Sequence, residues 1–333
     1  TANHPAGRAG PELQSLLHKS VSAASLGEGG TPCLELPEVR GALGLKQLSG
    51  KLEYMNPTGS FKDRGTSVMM AVAREHGMTE VVEDSSGNAG ASVSAYAARN
   101  GITAHIFVPA TASVAKVRQI AVYGAQLHAV RGAREAATEA AMAFCAERGL
   151  TYASHALSPY FLEGTKTFAY EVAQRPSERA TIPDHVVFPV GNGSLLIGAW
   201  KGFTELRDGG EIVEVPRLHA VQARAVMPIV EAYSGEEWNP EAVPSTVASG
   251  IAVADPARRA QILSVLSSTN GVAVAVDDSE ILRWQELLAK KEGVFAEPTS
   301  AAAFAGLAQL VDCGVIGTND SVLVPITGFG LKD

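Results

Sequence analysis

The sequence predicts an α/β protein of two sheet-and-helix lobes, with mostly parallel strands and a cleft between the lobes. Three observations carry this. From residue 81, short apolar runs alternate with stretches of helical length that end in stop signals. The alternation resumes after residue 161 and runs to the end of the chain. Gly/Ser/Asn turns join strand to helix at two of these junctions, and ligands of open α/β sheets bind beside the carboxyl ends of strands.

The first fifty residues, rich in Gly and Pro, predict no clear element. Residues 81–84 (VVED) predict a short buried strand, and 88–101 a helix stopped by Gly101. A strand follows at 103–109. A helix is expected at 113–124, with Ser113 as N-cap and Gly124 at the stop. Then come a strand (125–130), an Ala-rich helix (134–149) and a strand (151–154). The second series reads helix 161–175, strand 185–191, helix 194–206 and strand 217–223. A Pro- and Gly-punctuated loop occupies 235–256. Helix 256–268, strand 271–276, helices 278–293 and 300–314, and strand 321–328 complete the chain. Crossovers of this length make right-handed βαβ units and parallel sheets.

The 333 residues suffice for two domains, and 46% apolar with 19% charged residues is ordinary for a globular chain. A net charge of −8 argues against nucleic acid or an anionic membrane as partner. No apolar run is long enough to span a bilayer. The opening TANHPAGRAG holds no apolar signal core, so a cytoplasmic location is expected. Cys33, Cys145 and Cys313 lack metal-type spacing and are expected as buried small hydrophobes, with no metal site.

Four stretches could carry chemistry. In NPTGSFKDRG (56–65), Ser60 is expected to cap a helix starting at Phe61, with Asp63 closing a variant capping box. Lys62 then lies in the first turn, where the helix field and burial both favour its neutral, nucleophilic amine. The other reading of Lys62 is a solvated lysine beside the Asp63/Arg64 pair. EDSSGNAGAS (83–92) is a strand–turn–helix whose backbone N–H groups suit a carboxylate, with Asn88 donating into the cleft, or a plain N-cap cluster. VFPVGNGSLLIGAW (187–200) repeats the pattern, with Gly191 and Gly193 allowing close approach to a phosphate. It is neither the dinucleotide fingerprint nor the Gly-Lys-Ser/Thr phosphate loop, which counts against a dinucleotide oxidoreductase. VPITGFGLKD (324–333) ends a strand in Thr327, a hydroxyl able to face a ring nitrogen. A poised lysine, a carboxylate turn, a phosphate loop and that hydroxyl together suit pyridoxal 5'-phosphate.

These stretches, with EPTSAA (297–302), resemble the tryptophan-synthase-β-like superfamily of pyridoxal-phosphate enzymes (fold type II), and within it threonine synthases most closely. The resemblance runs from about residue 50 to the end. It implies two three-layer αβα lobes: a larger cofactor-binding lobe from 1–80 plus 161–333, and a smaller mobile lobe from 81–160. By the same resemblance, Lys62 is the Schiff-base lysine and the base at Cα. Asn88 meets the ring oxygen, and Gly191, Asn192, Gly193, Ser194 and Leu195 hold the phosphate. Thr327 meets the ring nitrogen, and Ser85, Ser86, Gly87 and Ala89 line the substrate carboxylate site. A homodimer is implied.

The sequence departs from that pattern where a substrate phosphate would sit. In SHALSPYFLEGTKT, His155 and Ala156 replace Asn-Ser, and Phe161 replaces the arginine. Phe329 stands for the usual histidine, and Asn-Ala-Gly for Asn-Thr-Ser after Gly87. His155 can contact substrate, move protons, or serve structurally. Glu297 lies near the active site or caps a helix, and Glu163 with Lys166 is expected as an exposed helical pair. The expected activity is a threonine synthase-like lyase reaction, elimination or replacement at Cβ or Cγ of a small L-amino acid. Alternatives are a serine/threonine dehydratase-type ammonia-lyase, β-replacement on an O-activated serine, or an idle cofactor- or amino-acid-binding regulatory module.

Overall fold

The computed structural model describes residues 24–112, 114–132, 134–174, 182–239 and 245–332. The expected cap Ser113, together with Arg175 and Asp333, lies outside them. In chain order the elements are β1 (Cys33–Glu35), α1 (Pro37–Ala42), β2 (Gln47–Lys51), α2 (Lys62–Glu75), β3 (Glu80–Glu83), α3 (Asn88–Arg99), β4 (Thr103–Pro109), α4 (Val114–Val122), β5 (Gln126–Val130), α5 (Arg134–Arg148) and β6 (Thr151–Tyr152). They continue with α6 (Pro159–Thr165), α7 (Thr167–Ala173), β7 (His185–Pro189), α8 (Ser194–Asp208), β8 (Arg217–Ala223), α9 (Pro228–Ser234), α10 (Arg259–Ser268), β9 (Ala273–Val276), α11 (Asp278–Leu287), α12 (Pro298–Asp312) and β10 (Ser321–Pro325).

Two sheets result. The larger has the order β1-β2-β10-β7-β8-β9 and is parallel except for the β1–β2 pair. The smaller, β5-β4-β3-β6, is parallel throughout. The central strands are apolar over most of their length because both faces are covered. On β7, Val186 and Phe188 pack with α7, α8 and α10, while Val187 packs with α11 and α12. On β10, Leu323 joins the first side, and Val322 and Val324 the second. In the smaller sheet, Ile106 of β4 faces α2 and α3, and Phe107 faces Ala137 and Ala141 of α5. The period of two is thus present, hidden from a reader who looks only for polar alternation.

Several elements differ from expectation. The unread N-terminal region contributes β1, α1 and β2, and β2 pairs with β10. The helix expected over 161–175 is two short helices joined at Lys166. Thr165 Oγ1 turns back to the carbonyls of Phe161 and Leu162, each at 3.2 Å, which competes with the helix ladder. A Cβ on Gly164 would overlap the Arg64 carbonyl, so α6 sits directly on the backbone of α2. Lys166 is buried rather than exposed, and Nζ lies 2.6 Å from Glu163 and 3.1 Å from Glu205. The cysteines are not buried hydrophobes: Cys33 and Cys145 are half-buried, and Cys313 is exposed.

At the amino ends of the larger sheet's strands lies a row of three titratable side chains. The Val272 N–H donates to His219 Nδ1 at 3.1 Å, His219 Nε2 meets His185 Nδ1 at 2.9 Å, and His185 Nε2 reaches Asp320 Oδ2 at 3.2 Å. This order leaves each ring one proton. Burial lowers the pKa of both histidines, that of His219 to about 3. A histidine whose folded pKa lies below its unfolded 6.5 contributes stability that is complete above pH 6.5 and declines as pH falls below it. We expect the melting temperature to drop on acidification from pH 7 to 5, with His219 contributing on the order of 1–2 kcal/mol. His219→Asn, which keeps an acceptor for Val272, is expected to flatten that slope; an unchanged slope would remove the row from the explanation.

Candidate active site

A cavity of about 290 Å³ opens where the carboxyl ends of β3, β4, β7 and β10 converge. Lys62, Ser85, Ser86, Gly87, Asn88, Ala89, His155, Gly191, Asn192, Gly193, Ser194, Leu195 and Thr327 all line it. Every candidate residue read from the sequence is therefore brought to one place.

Lys62 is the first residue of α2. The helix start is not capped as expected, since Ser60 Oγ is buried with no partner among the described residues. Asp63 instead accepts from the Thr58 N–H at 2.7 Å, Thr58 Oγ1 at 2.6 Å and Ser92 Oγ at 2.7 Å. The Phe61 N–H donates to the Thr327 carbonyl at 3.0 Å, which fixes the start of α2 to the end of β10. Lys62 Nζ lies 4.6 Å from the Phe61 ring centre and 5.8 Å from that of Phe161. Burial lowers its pKa to about 8; Glu83 and Glu297 oppose this, and Arg134 adds to it. A substantial neutral fraction at pH 7–8 is what an amine nucleophile or base requires.

Two helix starts bring backbone donors to the cavity. α3 follows Gly87 and α8 follows Gly193, and neither has a side-chain cap. Their first-turn N–H groups are left for an anion. Gly193 has φ of 71°, and a Cβ there would meet Ile262 Cγ1 at 2.5 Å, so conformation and space both demand glycine.

Glu297 joins two candidates. It accepts from Asn88 Nδ2 at 2.9 Å and from Thr327 Oγ1 at 2.8 Å, and Ser300 Oγ lies 2.9 Å from the same hydroxyl. It precedes α12 but makes no capping bond, so the carboxylate serves the cavity rather than the helix. His155 Nδ1 lies 2.8 Å from Glu83 Oε1, and its N–H donates to Glu83 Oε2 at 3.2 Å. Burial, with Asp84 beside it, pushes the Glu83 carboxyl well above the usual range. Burial holds His155 well below its ordinary value. The pair is therefore near neutral, and it turns the His155 ring edge-on to Phe161, with 5.9 Å between centres. Phe161 is fully buried, and Phe329 stacks on Tyr54 with 5.2 Å between centres. Neither lines the cavity.

Residues that sequence reasoning passed over also line the wall: Asp84, Lys116, Arg134, Thr299 and the segment 249–251 with Val253. Asp84 stood inside a quoted turn and was legible there. Arg134 begins an expected helix, but nothing local marks it as facing the cavity. The 249–253 segment lies in a loop without periodicity.

Pyridoxal phosphate needs an amine for its aldehyde, donors for its phosphate and a partner for its ring nitrogen. The cavity offers Lys62, the uncapped start of α8 behind a glycine-only turn, and the Thr327 hydroxyl, so the residues present fit the group. The chain belongs to the pyridoxal-phosphate-dependent enzyme family, whose pattern matches residues 24–328. Its cofactor is accordingly pyridoxal 5'-phosphate, in the fold type II arrangement. Among curated relatives, the threonine synthase of Methanocaldococcus jannaschii is 38% identical over 312 residues, 93% of this chain and 76% of that protein. The threonine synthase of Methanosarcina acetivorans is 38% identical over 321 residues, 96% and 78% of the respective chains. Of solved structures, maize serine racemase superposes with a TM-score of 0.81 at 21% identity, covering 96% of this chain and 93% of that one. A threonine deaminase from T.th. superposes with 0.79 at 22%, covering 97% and 98%. These two show the shared fold.

Proposed function

We propose that the protein is a threonine synthase-like lyase that catalyses elimination or replacement at Cβ or Cγ of a small L-amino acid. The observation that carries this is Lys62: an amine with a pKa lowered to about 8, set between two uncapped helix starts in one cavity. Pyridoxal phosphate, when bound, supplies an aldehyde that takes up amines and a ring that accepts electron density from Cα. Residues Gly191 to Leu195 would hold its phosphate, Asn88 its ring oxygen and Thr327 its ring nitrogen. The N–H groups of Ser85 to Ala89 bind the substrate α-carboxylate and orient the Cα–H bond toward Lys62. The Lys62 amine takes the proton from Cα and returns it later in the cycle. Glu297 fixes Asn88 and Thr327 in place. The near-neutral Glu83–His155 pair borders the substrate side chain without adding net charge.

The smaller lobe, residues 81–160, closes over bound substrate and excludes water. The active form is a homodimer in the cytoplasm. Among the described residues, no helix is long and apolar enough to cross a membrane.

A second reading, a serine/threonine dehydratase-type ammonia-lyase, is favoured by Ala156 and the buried Phe161, which put no polar group where threonine synthases carry their phosphate-binding residues. Purified protein incubated with phosphohomoserine, threonine, serine or O-acylated serines, with assays for phosphate and keto acid, separates the two. Threonine and phosphate from phosphohomoserine are expected. Keto acid from threonine or serine, with no phosphate released, would replace the first reading with the second.

A further inference from the structure

Chemistry at Cβ moves protons in two places, at Cα and at the oxygen that leaves or joins Cβ. Lys62 accounts for the first. Of the other titratable side chains on the cavity wall, Asp84 accepts from the Thr138 and Tyr152 hydroxyls, and Glu297 accepts from Asn88 and Thr327. Lys116 is held by Ser249 at 2.9 Å, and the Arg134 guanidinium does not give up a proton. His155 remains.

Its surroundings suit proton transfer better than packing. Glu83, the last residue of β3, is fully buried and does not line the cavity. Among the described residues its carboxyl bonds only to His155, through ring Nδ1 at 2.8 Å and the backbone N–H at 3.2 Å. The His155 side chain lines the cavity and is only 5% exposed. With Nδ1 taken and no partner for Nε2 among the described residues, the free edge of the ring is the one left to the cavity. Lys62 Nζ lies 5.8 Å, and the His155 ring centre 5.9 Å, from the centre of the Phe161 ring, so the two groups border one region.

Burial favours the neutral form of both partners, so the pair holds one proton between Glu83 and Nδ1 and one on Nε2. When Nε2 gives up its proton, the inner proton passes to Nδ1 and Glu83 becomes a carboxylate. Lys62, cationic once it has taken the Cα proton, lowers the Glu83 pKa and so favours release at that moment.

We propose that His155 is the catalytic residue that exchanges a proton with the oxygen at Cβ, with Glu83 behind it as the positioning residue that takes up the charge. In elimination, the electron pair of the Cα–H bond forms the Cα–Cβ double bond. The Cβ–O bond breaks with its electrons on oxygen, and the Nε2 proton joins that oxygen, releasing water. In replacement the step runs backwards: water bonds to Cβ through oxygen and gives its proton to Nε2. This rests on the reading of the cavity as a pyridoxal-phosphate lyase site.

The test compares cofactor-loaded protein acting on L-threonine and on its 3-chloro analogue of the same configuration, 2-amino-3-chlorobutanoate. The two differ only in the leaving group, both yield the same keto acid, and chloride departs without a proton. Threonine is the product under the first activity reading and a substrate under the second, so it meets this step in either case. Wild type is expected to form keto acid from both. His155→Gln is expected to lose roughly 10²-fold or more on threonine while staying within about threefold on the chloro analogue. Glu83→Gln keeps a donor to Nδ1 but cannot become a carboxylate, and should show the same split. A structural role alone would lower both rates together. A variant that keeps both activities, loss of both activities in both variants, or a wild type that acts on only one substrate would each overturn the proposal. If wild type acts on neither, the site does not exchange the Cβ oxygen and the proposal falls, while phosphate release from phosphohomoserine decides the activity reading by itself. If the split holds and phosphohomoserine releases no phosphate, the threonine synthase-like reading fails and the role of His155 stands.

Discussion

Lys62→Ala is expected to lower turnover by on the order of 10³-fold or more while leaving the protein folded. The side chain removed does two things that no neighbour can take over: it offers the amine that reacts with the aldehyde, and it is the base for Cα. Lys51 is committed to Glu171 at 2.7 Å and to the Thr31 carbonyl at 2.9 Å, and it does not line the cavity. Lys116 lines the cavity but is engaged with Ser249. The fold should tolerate the change, because among the described residues Lys62 has no hydrogen-bonded carboxylate to strand, and its side chain makes ring contacts with Phe61 and Phe161. Steady-state rates on the best substrate and thermal melting of the same samples check both halves. Retention of more than about a tenth of the wild-type rate would show that another group is the base.

Arg64→Met is expected to be the most destabilising single change at a site of this kind. Arg64 Nε donates to Glu53 Oε2 at 2.6 Å and Nη2 to Glu53 Oε1 at 2.8 Å. Nη1 and Nη2 reach Glu171 Oε1 and Oε2 at 2.6 and 2.7 Å, and the fork also meets Thr167 and Thr31. Glu53 is fully buried. Removing the arginine leaves that carboxylate, among the described residues, with hydroxyl and amide donors from Thr31 and Asn56 and a distant Lys51, 3.9 Å away. Breaking a buried pair from one side costs about 3–5 kcal/mol. In a chain this size that lowers the melting temperature by roughly 4–7 °C. Adding Glu53→Gln should restore part of the loss by removing the stranded charge. Arg64 lies two residues beyond Lys62 on α2, so activity is expected to fall as well. A variant melting within about 1 °C of wild type would mean the network is not coupled to stability.

The same network predicts acid lability. Arg64 and Lys51 hold Glu171 down at about 2 against the opposing effect of burial. A carboxylate with a depressed folded pKa contributes stability that is complete above its unfolded value and fades as pH falls from about 4.5 toward 2. This window lies below that of the His185–His219 row, so acid should weaken the fold in two stages.

The cofactor side of the site was legible because each part is a local strand–turn–helix segment. Ser85 to Ala89 and Gly191 to Leu195 each announce a turn, an anion and a helix start within a few residues. The supporting groups were not, because tertiary contacts assemble them. Glu297 and Asn88 meet across 209 positions of sequence, so its carboxylate was equally readable as a helix cap. Arg134 has no local signature, since only the placement of α5 turns it toward the cavity. β1 and β2 escaped because they are short and half-polar, with β1 at the sheet edge and β2 tied to the distant β10. The break at Lys166 follows from the close approach of α6 to α2 at Gly164, which helical periodicity cannot reveal. The capping box around Ser60 failed for the same reason: Thr58 and Ser92 occupy the Asp63 carboxylate first.

Borohydride reduction of the purified protein followed by trypsin digestion and mass mapping tests the central claim most directly. Reduction should fix one pyridoxyl group on the peptide spanning residues 52–64, with cleavage blocked at Lys62. A label on Lys51, Lys116 or any other lysine, or none at all, would contradict the account.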